Sequence, residues 1–120
     1  MVLVDTSVWI RFLADREPFA SQLDRLLERD DVLGHALVYG ELLIGERGGR
    51  ARLLTDYRAM SQAAVLPHEE VVTFVRSRRI AGRGIGWIDA HLLASALVDG
   101  NRLWTADATL AKLATEIGVG

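Results

Sequence analysis

Four carboxylates in this chain stand where an ionised side chain is costly. Asp5 closes the short apolar run Val2-Leu3-Val4 and is followed by Thr6 and Ser7, so it falls where a buried strand would end and a helix begin. Glu41 belongs to a predicted helix over residues 37–46. At about 100° per residue, Leu37, Val38 and Ile44 all lie within about 60° of it, which puts the acid in an apolar face. Asp89 opens the helical stretch 87–98 and shares a face with Leu92, Leu93 and Ala96. Asp107 repeats the opening pattern: residues 102–105 read as a strand ending in a hydroxyl, the acid follows at a helix start, and Leu110, Ala111 and Ala114 share its face. Asp24, Asp30, Asp31, Glu69, Glu70 and Glu116, by contrast, have ordinary surface or capping positions.

Taken singly, each of the four has a structural reading. Asp5 opens a turn in which Thr6 or Ser7 caps the next helix; Glu41 pairs with an internal arginine; Asp89 is a helix cap. What separates these readings from a functional one is convergence. In a parallel sheet with right-handed crossovers, the ends of the first and last strands and the starts of the helices after them face one edge. Four carboxylates gathered there repel and resist ionisation unless a cation neutralises them. The chain has no cysteine, and His91 lies roughly 200° round the helix from Asp89, so the two are not a natural ligand pair. Oxygen-only ligands favour a hard divalent ion, Mg²⁺ or Mn²⁺, over zinc. The chemistry such a site suits is phosphoryl transfer to water.

The elements that must position these acids are short and alternate in type. Predicted strands cover Val2 to Val4 and residues 32–36, 63–66 and 102–105, with Val119 in a possible fifth, at the sheet edge. Between them come helices near residues 8–15, 18–29, 37–46, 51–61, 69–81, 87–98 and from 107 onward. The whole, residues 1–120, is expected to be a single α/β domain with a parallel central sheet of four to five strands. Neither glycine-rich stretch is a nucleotide loop: residues 45–50 lack the Gly-Lys-Ser/Thr ending, and a helix rather than a strand precedes residues 82–86.

Half the residues are hydrophobic and a quarter charged, which excludes disorder. Without cysteine there is no disulfide framework, thiolate metal site or cysteine nucleophile. The amino-terminal residues lack the basic and long apolar segments of a secretion signal, and no apolar run reaches membrane-spanning length; a soluble cytoplasmic protein is expected. Net charge is −2, yet arginines bunch at Arg47, Arg50 and Arg52 and again at Arg76, Arg78, Arg79 and Arg83. Their forked guanidiniums suit phosphates, although a solvated helix face looks similar.

Val-Asp-Thr-Ser-Val-Trp-Ile at 4–10, Gly-Glu-Leu-Leu at 40–43, Gly-Trp-Ile-Asp-Ala-His-Leu-Leu-Ala-Ser-Ala at 86–96 and Leu-Trp-Thr-Ala-Asp at 103–107 together resemble PIN-domain ribonucleases, in particular VapC-type toxins of type II toxin-antitoxin pairs. The resemblance spans essentially the whole chain. It implies a three-layer α/β/α fold and endonucleolytic cleavage of RNA dependent on Mg²⁺ or Mn²⁺. On matching motif positions it implies Asp5, Glu41, Asp89 and Asp107 as the acidic metal site, with Thr6, Ser7 and Thr105 as supporting hydroxyls. It also implies a homodimer and a cognate VapB-like antitoxin. Arg47, Arg50, Arg52, Arg79 and Arg83 are then candidates for guiding the RNA backbone. The chain departs from the family at Ala108, where many relatives carry a basic residue.

Three rivals fit less well. A haloacid-dehalogenase-type phosphatase needs a second aspartate two positions after the first, where Ser7 stands. A phosphoacceptor receiver domain needs a lysine at a late strand end, whereas Lys112 lies within the last helix. A catalytically idle PIN-fold module that binds RNA or regulates is the alternative within the family, and the complete acidic set argues against it.

Overall fold

Residues 1–120 are all described by a computed structural model. Three short parallel strands form the centre: β1 (Val2–Val4), β2 (Val32–Leu33) and β3 (Arg102–Trp104), in the order β2-β1-β3. Val2 and Leu3 pair with Val32 and Leu33 on one side, and Val2, Leu3 and Val4 pair with Arg102, Leu103 and Trp104 on the other. Seven helices surround this sheet: α1 (Thr6–Leu13), α2 (Phe19–Glu28), α3 (Ala36–Ile44), α4 (Ala51–Ala59), α5 (His68–Ser77), α6 (Trp87–Asp99) and α7 (Ala108–Glu116). The step from β1 to β2 and the step from β2 to β3 run in opposite directions across the sheet. Right-handed crossovers therefore send the connecting helices to opposite faces, giving the α/β/α layering. The crossovers part company at the carboxyl ends of β1 and β3, the place where such sheets bind ligands.

The sheet has three strands, not the four to five that the sequence pattern predicts. Residues 63–66 do not form a strand; the approach to β2 is one parallel bridge between Gly34 and Gln62, with Gly34 N–H donating to Ser61 O at 2.8 Å and Ala63 N–H to Gly34 O at 2.8 Å. The reason lies in β2 itself. Its ladder ends after two residues because His35 already caps α3, its Nδ1 accepting the Leu37 N–H at 3.0 Å, so only Gly34 offers an edge. A Cβ at Gly34 would meet the Gln62 side-chain amide, which would have to move aside. Val119 likewise contributes a single bond, its carbonyl accepting Leu103 N–H at 2.7 Å, rather than a strand.

Leu3, Val4, Val8, Trp9, Leu23, Leu42, Tyr57, Leu92, Leu93 and Leu110 fill the centre of the core. Trp9 meets Tyr57 edge-on with ring centroids 5.4 Å apart, and the Tyr57 hydroxyl accepts His35 N–H at 2.8 Å, which docks α4 under the end of β2. The α6 helix is buried along most of its length, from Ala90 to Ala96, which explains why its sequence is apolar on every side rather than striped. It stops at Gly100, whose φ of 67° is the left-handed conformation glycine takes at helix ends. No helix is long and apolar enough to cross a membrane.

Candidate functional site

Asp5 follows the last residue of β1, extends the ladder by donating its N–H to Trp104 O at 2.9 Å, and is only 6 % exposed. Burial at this depth demands donors for an ionised carboxylate. Two arrive from opposite ends of the chain: Ser7 Oγ donates to Asp5 Oδ2 at 2.7 Å and Thr105 Oγ1 donates to the same oxygen at 2.8 Å. Each hydroxyl also accepts a backbone amide, Ser7 from Ala106 and Thr105 from Asp107, both at 3.0 Å. A hydroxyl has one proton to give. With both protons directed at Asp5, the 3.2 Å separation of Ser7 and Thr105 is a close approach between two oriented groups rather than a further bond.

The other acids are oriented in the same manner. Thr6, at the start of α1, donates from Oγ1 to Glu41 Oε1 at 2.6 Å and so ties α1 to α3. Asp89 reaches back with Oδ2 to the Gly86 N–H at 3.2 Å; glycine has no side chain to return the bond, so this is half of a capping box. Asp107 caps α7, its Oδ1 accepting Leu110 N–H at 2.9 Å. Capping and convergence are thus not exclusive at Asp89 and Asp107. Each of the four carboxylates has one oxygen held by protein donors. Asp5 Oδ1, Glu41 Oε2, Asp89 Oδ1 and Asp107 Oδ2 accept from none, and none of them is sealed from solvent.

No cation of the protein compensates this charge. The ion pairs of the chain join the amino terminus to Asp31, Arg52 to Asp56 and Arg83 to Glu116, so the arginine partner considered for Glu41 does not exist. The Asp89 carboxyl is pushed above its usual range, first by burial and then by the negative charges of Asp5, Glu41 and Asp107, against the opposing pull of the Gly86 N–H. All three remaining acids therefore contribute to the negative field at Asp89. As they stand, no three Asp, Glu or His side chains are close enough to hold one ion together. The donor set nevertheless fits a hard divalent cation: it is all oxygen, uncompensated, and offers one free oxygen per carboxylate. His91 takes no part, being buried with its ring edge-on to Trp87 at 5.2 Å.

The apolar setting of Glu41 differs from the helical-wheel expectation. Val38 and Leu42 are buried and Leu37 half-buried, but Ile44 is 89 % exposed, because it lies at the end of α3 just before the Gly45 turn. Among the arginines, Arg50 spends its Nη1 on Leu42 O at 2.9 Å, completing the end of α3. Arg52 pairs with Asp56 at 3.7 Å and Arg83 with Glu116 at 2.8 Å. Arg47 and Arg79 are exposed, and neither has a carboxylate partner. The Gly86 amide and the capping role of His35 were not legible beforehand; Gly86 three residues before Asp89 was the available signal for the first, and a lone histidine after a strand gave none for the second.

The PIN domain family matches residues 2–116 of the chain. Two relatives, each named Ribonuclease VapC32, come from Mycobacterium tuberculosis strains CDC 1551 / Oshkosh and ATCC 25618 / H37Rv. Each is 43 % identical to this chain over 120 residues, covering 99 % of this chain and 94 % of the relative.

Proposed function

Because this chain belongs to the PIN-domain family, we propose that it is an endoribonuclease, the toxin of a type II toxin-antitoxin pair, which hydrolyses RNA phosphodiester bonds with the aid of Mg²⁺ or Mn²⁺. The observation that carries the reading is a set of four carboxylates, each anchored through one oxygen and free at the other, with no cationic side chain paired to any of them and with Asp5, Glu41 and Asp107 all contributing to the negative field at Asp89. The 43 % identity to proteins named Ribonuclease VapC32 supports the activity class.

In this reading Asp5, Glu41, Asp89 and Asp107 would hold the divalent ion. Such an ion, when bound, acidifies a water and neutralises charge on a phosphoryl oxygen. The chain's own contribution is orientation. Ser7 and Thr105 confine Asp5 to one rotamer, Thr6 does so for Glu41, and the Gly86 and Leu110 amides do so for Asp89 and Asp107. Carboxylates fixed beforehand need less reorganisation when substrate arrives. The buried side of the site excludes water behind Asp5, so approach is confined to the open edge of the sheet.

A VapB-like antitoxin would block this edge, and a homodimer in the cytoplasm is the proposed working form. Leu43, 50 % exposed, and Ile44, at the end of α3, are apolar groups that a protein partner would cover. The test is cleavage of labelled total RNA by purified protein with Mg²⁺, with Mn²⁺ and with EDTA, using wild type, Asp5→Asn and Asp89→Asn. Loss of cleavage in EDTA and in both folded variants is expected. Undiminished cleavage by both folded variants would overturn the assignment, and binding without any cleavage by wild type would leave an RNA-binding module.

A further inference from the structure

The stretch that joins α5 to α6 carries the one ion pair of the chain that ties separate elements through side chains at hydrogen-bond distance. Arg83 Nη2 donates to Glu116 Oε2 at 2.8 Å across 33 residues of sequence, whereas Arg52 and Asp56 are neighbours on one helix and the amino terminus lies 3.9 Å from Asp31. The Glu116 carboxyl is accordingly held below its usual range, first by this hydrogen bond. Both partners are exposed, so the pair adds little to global stability. Residues 81–86, however, have little else to hold them. The Arg83 N–H on Ile80 O at 3.1 Å is the only backbone-to-backbone bond they donate. Gly82 and Gly84 take φ of 77° and 85°, and glycine's wide conformational range makes such a loop costly to order. Beneath it, a cleft of about 130 Å³ bordered by Val75, Ile80, Ile85 and Ala90 leaves room to shift.

The loop ends at the acidic site. Gly86, three residues after Arg83, gives its N–H to Asp89 Oδ2 at 3.2 Å. A Cβ at Gly84 would sit 3.6 Å from Thr109 Cγ2, so the backbone there runs beside the first turn of α7, the helix that Asp107 caps and Glu116 ends. The loop is thus tied to α7 at Glu116 and runs on past Thr109 to Gly86, between the helix starts that carry Asp107 and Asp89. Fixing its middle limits how Asp89 can stand to Asp107, whose charge it feels. Resting on the metal-dependent nuclease reading above, we propose that Arg83 and Glu116 form a strap that positions Asp89 relative to Asp107 for a divalent ion. Arg83 is then a positioning residue, acting through the Gly86 amide, and not a guide of the RNA backbone. A strap differs from a simple field. By charge alone, removing Arg83 makes the site more attractive to a cation and removing Glu116 makes it less so. A strap is broken by either loss.

The test has two readouts, neither of which needs RNA. The first is the affinity for Mn²⁺ alone, from the paramagnetic resonance signal of the free ion. The second is amide exchange at Gly86 in the metal-free protein, followed by NMR. Arg83→Gln and Glu116→Gln are each expected to weaken Mn²⁺ binding by roughly two- to fivefold, the range for loss of an exposed ion pair, and to speed Gly86 exchange by a similar factor. The double variant should be no worse than the weaker single one, since both remove the same tie. The reversed pair, Arg83→Glu/Glu116→Arg, should recover most of both losses. Opposite changes in the two single variants would mark a field effect and overturn the strap. Unchanged Mn²⁺ affinity in both would overturn it too, even if Gly86 exchange quickens, because the tie would not reach the carboxylate. So would a reversed pair that recovers neither readout. A wild type that binds no Mn²⁺ rejects the metal reading; faster Gly86 exchange in both single variants then still supports the strap, and unchanged exchange overturns it. A wild type that binds Mn²⁺ and cleaves RNA, beside variants unchanged in both readouts, rejects the strap and leaves the nuclease reading standing.

Discussion

The hydroxyl pair that holds Asp5 is predicted to behave as one unit, and removing both members should cost more than the two single losses. Ser7→Ala deletes the 2.7 Å donor to Asp5 Oδ2 and leaves Thr105 at 2.8 Å in place; Thr105→Val does the converse. A hydrogen bond to a charged group contributes about 1.5–3 kcal/mol. Each substitution also strands a backbone amide, of Ala106 or Asp107, though Asp107 is exposed and water can replace its lost acceptor. Each single variant should therefore lose about 2 kcal/mol. For a chain of 120 residues that corresponds to roughly 8 °C in Tm, at about 4 °C per kcal/mol. In the double variant a carboxylate that is 6 % exposed keeps no donor at Oδ2, and the desolvation cost appears in full. The excess over additivity is expected to be about 1–2 kcal/mol. The assay is a double-mutant cycle by urea unfolding at pH 7 in EDTA, with equal m-values as the check that the denatured states match. Additivity within about 0.5 kcal/mol would refute the claim that the two hydroxyls share one buried charge.

Two further predictions concern pH. Asp89 is raised above its unfolded value, so between the two the native state binds more protons than the unfolded state, and stability is lost as pH rises through that interval. Asp89→Asn should flatten this slope and melt higher than wild type at pH 7 in EDTA; a lower Tm at pH 7 would contradict the crowding of charge around Asp89. His35 works in the opposite sense. Its pKa is lowered from 6.5 to about 4, chiefly by burial and then by His91, and its Nε2 is buried without a partner. The unfolded state then takes up the proton first, so stability falls as pH drops from 6.5 toward 4, by at most about 3.4 kcal/mol at 1.36 per unit. His35→Asn, which keeps a capping side chain without a titrating one, should remove that loss in urea unfolding at pH 7.0, 5.5 and 4.5. An unchanged slope would show that His35 is not the group being protonated.

The sequence by itself determined what is local. The run Val2-Leu3-Val4 before Asp5, the apolar stretch after Gly86 and the Gly100 stop are patterns of neighbouring residues, and each produced the expected element. The four acids were conspicuous for the same reason, since a carboxylate in an apolar stripe or at a strand end breaks a rule that neighbours alone define. Strands 63–66 and 119 were not decidable in that way, because a strand exists only where a partner edge is long enough, and β2 ends after two residues. Nor were the partners of long side chains. Arg50 turned back to Leu42 O and Arg83 to Glu116. Ser7 and Thr105 lie 98 residues apart. Only the parallel pairing of β1 with β3 brings their hydroxyls to one carboxylate oxygen, because hydrogen bonds act over about 3 Å and the chain between them carries no record of that distance.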